Sequence, residues 1–124
     1  MQGHRDLTVW QQAMALVTLV YRVTKTFPKD EQYGLTSQLR RAAVSVPSNI
    51  AEGYGRNSRT DFRRFLGQSM GSLLEVETQI EIASVLGYVS NAQLETLLLQ
   101  IKRIAQLLNG LKAWCESSPK SEAL

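Results

Sequence analysis

Val9, Ala13, Leu16, Val20, Val23 and Phe27 are spaced alternately by four and three residues, and Trp10, Met14, Val17, Tyr21 and Thr24 repeat that spacing one position later. Residues three and four apart share one face of an α-helix, so each set is a seam along the same helix. One neighbouring helix buries one such seam, and a second seam beside it needs a second neighbour. A chain that opens this way is confined to folds in which helices cover helices.

The same period returns three times. Leu35, Leu39, Ala42, Val46 and Ile50 make a stripe that also carries Asn49 and Gly53, while Val44, Pro47 and Ala51 lie on the far side. The spacing predicts a helix that continues, kinked, through Pro47 and stops at Gly53-Tyr54-Gly55, where a glycine can take the left-handed conformation that closes a helix. Phe62, Phe65, Ser69, Leu73, Val76, Ile80 and Ala83 predict a third helix, opened by Ser58-Arg59-Thr60-Asp61 and ending at Gly87. Gly67, Gly71, Leu74 and Thr78 form a small-residue strip on it. Glycine inside a helix costs about 1 kcal/mol against alanine, so the strip predicts close approach of a neighbouring helix or a second subunit. Ser90-Asn91-Ala92-Gln93 reads as a capping box for a fourth helix lined by Leu94, Leu97, Ile101, Ile104, Leu108, Leu111 and Cys115 and widened by Leu98, Leu107 and Trp114.

The first helix is expected from Leu7 to about Thr26, capped by Asp6 or Thr8, with Phe27-Pro28-Lys29-Asp30-Glu31 as a loop before Tyr33-Gly34. At 124 residues the whole is one domain, 1–124, with its core at about 7–116 and a loose tail from Lys120 to Leu124. The expected architecture is all-α, an antiparallel up-down four-helix bundle. Its surplus apolar seams predict a homo-oligomer with Trp10, Tyr21, Gly67 and Gly71 at the interface.

Most chemistry lacks its residues. His4 is the sole histidine and Cys115 the sole cysteine, which leaves no metal-ligand cluster, no nucleophile-base pair and no disulfide framework. His4 is expected to be a flexible terminal residue and Cys115 a small buried hydrophobe. Gly53-x-Gly55 follows a helix and lacks the rest of a dinucleotide fingerprint. Glu75 is expected to point away from the core stripe of the third helix, and Glu77 and Glu81 to flank it, where they can meet arginines of a neighbouring helix or subunit. The expectation is a protein with no catalytic residue, metal or cofactor. No secretory signal or spanning helix is legible, which points to the cytoplasm.

Charge is concentrated in one place. Arg40, Arg41, Arg56, Arg59, Arg63 and Arg64 face only Glu52 and Asp61 between positions 40 and 64, while the rest of the chain sums to minus one of the formal +3. Six arginines without a lysine suit planar contact with phosphate or carboxylate. They are the candidate nucleic-acid-binding residues, with phosphate contacts supplying affinity and little choice of sequence, and Tyr54 as a possible base-stacking partner. Pro47, Asn49, Glu52 and Gly53 form a structural motif, in which Asn49 either satisfies carbonyls freed by Pro47 or fixes helix register and Glu52 pairs with Arg41 or Arg56.

GLTSQLRRAAVSVPSNIAEGYGR, followed by FLGQSMGSLLEVETQIEIASVLGY, resembles the small four-helix-bundle proteins encoded in intervening sequences of bacterial 23S rRNA genes. The resemblance runs from about Trp10 to Trp114 and is carried by Tyr33-Gly34-Leu35, Ser48-Asn49-Ile50-Ala51-Glu52-Gly53 and Gly71-Ser72-Leu73 in order. It implies a ring-like homopentamer and points to nucleic-acid binding without catalysis. The chain is similar, more distantly, to pentameric accessory proteins of diversity-generating reverse transcriptases. The expected function is therefore RNA or DNA binding by a non-enzymatic oligomer, as an accessory to an RNA-processing or reverse-transcribing partner; the alternative is a protein-interaction scaffold.

Overall fold

A computed structural model describes residues 3–117, and within them four α-helices carry the fold: α1 (Thr8–Thr24), α2 (Leu35–Gly55), α3 (Arg59–Val85) and α4 (Asn91–Glu116). Short 3-10 turns lie at Gly3–Asp6 and Lys29–Glu31. The tail from Lys120 lies outside the described residues. Neighbouring helices pack in the order α1, α2, α3, α4 and back to α1. No described segment is long and apolar enough to cross a membrane.

The first seam of α1 is buried along its whole length, from Val9 through Leu16 to Phe27. Leu39, Ala42, Val46 and Ile50 of α2 meet it, and every member of the α3 stripe from Phe62 to Ala83 is buried with them. Leu97, Ile101, Ile104, Leu108 and Cys115 close the core from α4. Burying a large aliphatic or aromatic side chain stabilises by about 1.5–3 kcal/mol, so this one cluster dominates the fold. The second seam of α1 is only partly covered: Thr24 is buried and Trp10 half-buried, while Met14 and Tyr21 stay about 40% exposed.

Two caps form as their side chains dictate. Ser58 Oγ accepts from the Asp61 amide at 3.1 Å, and Ser90 and Gln93 complete a reciprocal capping box at α4. At α1 neither Asp6 nor Thr8 serves. Leu7 holds the cap position with no side-chain bond, and Thr8 is already helical. His4, expected as a flexible terminal residue, meets Trp10 edge-on at 5.1 Å between ring centroids.

α2 runs unbroken through Pro47, which is buried. Proline removes the amide that would have bonded the Ala43 carbonyl. Side chains gather on the next three carbonyls. Ser48 Oγ donates to Val44 O at 2.8 Å, Asn49 Nδ2 to Ser45 O at 2.9 Å, and Ser69 Oγ, from α3, to Val46 O at 2.9 Å. Asn49 also donates to Ser45 Oγ at 2.9 Å, which Ser72 of α3 meets at 2.8 Å. Asn49 is thus half-buried at the edge of the seam rather than pointing into the core, and it belongs to a polar weld between α2 and α3.

α2 ends at Gly55, within the expected Gly53-Tyr54-Gly55 stop, but not by a left-handed glycine. Gly53 is inside the helix, and a Cβ there would sit 2.5 Å from Phe65 Cβ. Its missing side chain lets α3 come close. The left-handed residue is Asn57, at φ 67°, in the three-residue turn 56–58. Asparagine takes that conformation more readily than other non-glycine residues because its short amide bonds locally. At the other end of the bundle Glu31 holds two pieces together: Oε1 accepts from the Leu35 amide at the start of α2, and Oε2 accepts from Tyr88 Oη in the α3–α4 loop at 3.0 Å. The hydrogen bond to Glu31, reinforced by burial, raises the Tyr88 phenol above its usual pKa.

Candidate nucleic-acid interface

The six arginines do not form one belt on the chain. Arg40 lies in the second turn of α2 and Arg56 just past its end, sixteen residues on and roughly 24 Å away at 1.5 Å per residue, so they belong to different halves of the bundle.

Arg40 is engaged inside the fold. Its Nε donates to Thr24 Oγ1 at 2.8 Å, a terminal nitrogen reaches Tyr21 O at 3.5 Å, and the guanidinium lies 4.6 Å from the Tyr21 ring centroid. Thr24 is buried and in turn donates to Val20 O at 2.8 Å. Arg40 therefore ties α2 to the last turn of α1, a structural contact that the charge count does not show. Arg41 points outward, into a groove between α2 and α3 that it shares with Gln38, Ser45, Ser72, Glu75 and Gln79.

The other four converge where α2 ends, α3 begins and α4 finishes. Arg56 pairs with Glu52 at 3.0 Å and its guanidinium lies 5.2 Å from the Phe65 ring centroid. Arg64 lies 4.5 Å from the centroid of that same ring and 3.7 Å from Asp61. Arg63 pairs with Glu116 of α4. Arg59 is half-buried, with its guanidinium 3.9 Å from the Trp114 ring centroid and its Nε buried without a hydrogen-bond partner.

Three of these four guanidiniums have a carboxylate partner, one of which, Glu116, lies outside the segment whose charge was counted. The local excess is smaller than the sequence count. Yet the paired side chains are about half exposed, between 43% and 55%, and ion pairs this open are worth about 0–1 kcal/mol. A phosphate can displace such a carboxylate at little cost. The rings beneath the guanidiniums keep them oriented while doing so, since a cation over an aromatic face contributes about 0.5–1 kcal/mol at exposed sites.

Trp114, expected to widen the inner face of α4, is 41% exposed and carries Arg59. No local spacing signals this contact. Cys115 beside it is buried, and burial pushes its thiol up despite the opposing pull of Arg59 and Arg63, which leaves it protonated at neutral pH. Tyr54 is half-buried against Phe62, edge-on at 5.8 Å, and so is a packing residue. Among the described residues no group of acidic, histidine or cysteine side chains is arranged to hold a metal.

Where a Cβ would stand on Gly67 or Gly71, nothing lies within 4 Å beyond the nearby backbone of their own helix, so among the described residues no neighbouring helix approaches them. Leu35, Leu74 and Ile82 border Gly71 in an open apolar groove along the α2–α3 edge, and Leu74 and Ile82 are 53% and 45% exposed. A second open face lies along the α1–α2 edge, where Tyr21 and Val44 line a cleft with Arg40 and Arg41.

The model of the 23S rRNA-intervening sequence protein family matches residues 5–110. A crystal structure of a protein of unknown function from the S23 ribosomal protein family of Bacteroides thetaiotaomicron superposes with a TM-score of 0.78 at 21% identity, covering 85% of this chain and 98% of that one. At that identity the likeness speaks for the fold. No curated protein matches the sequence.

Proposed function

The chain belongs to the 23S rRNA-intervening sequence protein family, and on that premise we propose that it is a non-enzymatic homo-oligomer that binds RNA or DNA through the arginines at the α2–α3 turn. The observation that carries this reading is the convergence of Arg56, Arg59, Arg63 and Arg64 on one end of the bundle, each guanidinium seated on an aromatic ring or held by an exposed carboxylate. Such groups are oriented and exchangeable, which suits phosphate contact with little choice of sequence.

Assembly is supported by two open faces. They are different surfaces of one chain, one a mixed cleft on the α1–α2 edge where Tyr21 and Val44 stand beside Arg40 and Arg41, the other an apolar groove on the α2–α3 edge with Gly67, Gly71, Leu74 and Ile82. Packing one kind of face on the other, copy after copy, would give a head-to-tail contact rather than a twofold dimer, and such contacts form a ring where the rotation between copies closes. The homopentamer implied by the family resemblance is such a ring. By symmetry every copy then presents its arginine end at the same height around the axis, and modest individual contacts add through multivalency. An accessory role beside an RNA-processing or reverse-transcribing enzyme in the cytoplasm fits a binding ring without chemistry of its own.

The test is binding of labelled RNA and DNA across a salt series, with light scattering to count subunits. Replacing Arg56, Arg63 and Arg64 by glutamine is expected to weaken binding to all sequences. It should also flatten the slope of log affinity against log salt by roughly two to three units, since each lost phosphate contact removes about 0.7–0.9. Arg59 is left in place because its packing on Trp114 joins α3 to α4. Parental binding and slope in the triple variant would remove the arginines from the interface. The second reading, a scaffold for protein partners, is favoured by the Arg41–Glu75 groove and would be supported by assembly without any binding of nucleic acid at low salt.

A further inference from the structure

Trp114 stands among the arginines as an aromatic surface with no work to do in the core. It is 41% exposed on the last turns of α4, whereas the core positions of that helix, Leu97, Ile101, Ile104 and Leu108, are at most 3% exposed. Arg59 lies over its ring at 3.9 Å, and Arg63 is fixed one helical turn along α3 by Glu116, two residues beyond Trp114. The Arg59 Nε carries a buried N–H with no acceptor.

We propose that Trp114 is a base-stacking platform and that the ligand of the arginine end is single-stranded nucleic acid. This rests on the phosphate-binding reading above and deepens it by naming the strand state. A duplex offers this end its phosphates but keeps its base faces stacked inside, so the exposed indole would gain nothing from it. In a single strand the bases are free to unstack, and an aromatic ring beside guanidiniums is the combination that holds them: ring against base, guanidinium against phosphate. Arg59 keeps the indole oriented from one side, and Arg63 is placed to exchange Glu116 for a phosphate of the adjoining nucleotide. Stacking tolerates any base, which agrees with the sequence-independent contacts expected of the arginines.

The experiment uses the full chain at low salt with three probes of equal length: an oligothymidine strand, an oligouridine strand and a DNA duplex. The parent is expected to prefer the strands. Trp114→Ala should weaken strand binding roughly 5- to 150-fold, the range for loss of one stacked base, and leave duplex binding unchanged, while Trp114→Phe retains most of the affinity. As a measurement that leaves Trp114 intact, Trp10→Phe removes the other tryptophan, and the remaining emission should be quenched as a strand is added. The two strands separate a preference for RNA or DNA without affecting the stacking proposal. Parental strand affinity in Trp114→Ala, an unquenched Trp114, or equal affinity of the parent for duplex and strand would each overturn it. If those results came while the Arg56, Arg63 and Arg64 triple variant still lost binding, phosphate contact would stand and stacking alone would fall. If the parent bound none of the probes, both would fall together.

Discussion

The α2–α3 pair has an inner seam and an outer edge made from the same residue types, and the two behave in opposite ways. On the seam, Gly53 is so close to Phe65 that one added carbon would collide with it, and Ser69 and Ser72 reach across to the backbone and side chain of α2. On the outer edge, Gly67 and Gly71 face open space, and the polar groove beside them holds Arg41 and Glu75. A small residue in a helix means close approach only when a neighbour is there. What tells the two apart is whether the position falls on the buried stripe, and Gly53 does while Gly67 and Gly71 do not.

Substitutions can break that contrast or sharpen it. Gly53→Leu is expected to have the largest effect, a loss of about 3 kcal/mol or more by overpacking, which outweighs the gain of about 1 kcal/mol in helix propensity. Thermal unfolding measures it directly, and a stable Gly53→Leu would mean the seam is looser than described. Ser69→Ala comes next, at about 1–3 kcal/mol, because it withdraws a fully buried donor from Val46 O. Asn49→Ala, only half-buried, should cost about 1 kcal/mol in the same assay. Gly71→Leu should hardly change the unfolding of the single chain, within about 1 kcal/mol and in the favourable direction by propensity, yet lower the mass seen by light scattering. If it leaves assembly intact, the α3 edge is not an interface. Arg64→Gln is the smallest, within about 0.5 kcal/mol, since its carboxylate partner is exposed; a larger loss would make its place over Phe65 part of the fold.

The periodic part of this fold was legible before the structure. The first seam of α1 and the Phe62–Ala83 stripe of α3 are buried residue for residue, and the Ser90–Gln93 box forms as written, because both depend on spacings within one helix. What escaped was whatever joins distant parts of the chain. Arg63 meets Glu116 across 53 positions, and Arg40 meets Thr24 across 16. Nothing in the local pattern marks either pair, so the charge count overstated the free positive field and counted Arg40 within it. Trp114 was absorbed into a core stripe for the same reason: a helical wheel gives direction but not whether a neighbour fills it. Asn57 takes the left-handed conformation although two glycines stand close by, because Gly53 is committed to packing against Phe65 and Gly55 still lies within α2.

The turn at residues 56–58 bears on how the chain folds. It joins the two helices that share the polar weld and the Gly53 contact, and closing so short a connection forfeits little chain entropy. Contacts across it are local in sequence, whereas α4 must return to α1 from the far end of the chain, as Gln100 does to the Gln12 carbonyl. Rates follow such locality. The α2–α3 hairpin is therefore placed to form first, with α1 and α4 docking onto it, so that changes at Gly53 or Ser69 slow folding while changes at Ile101 or Leu108 mainly hasten unfolding.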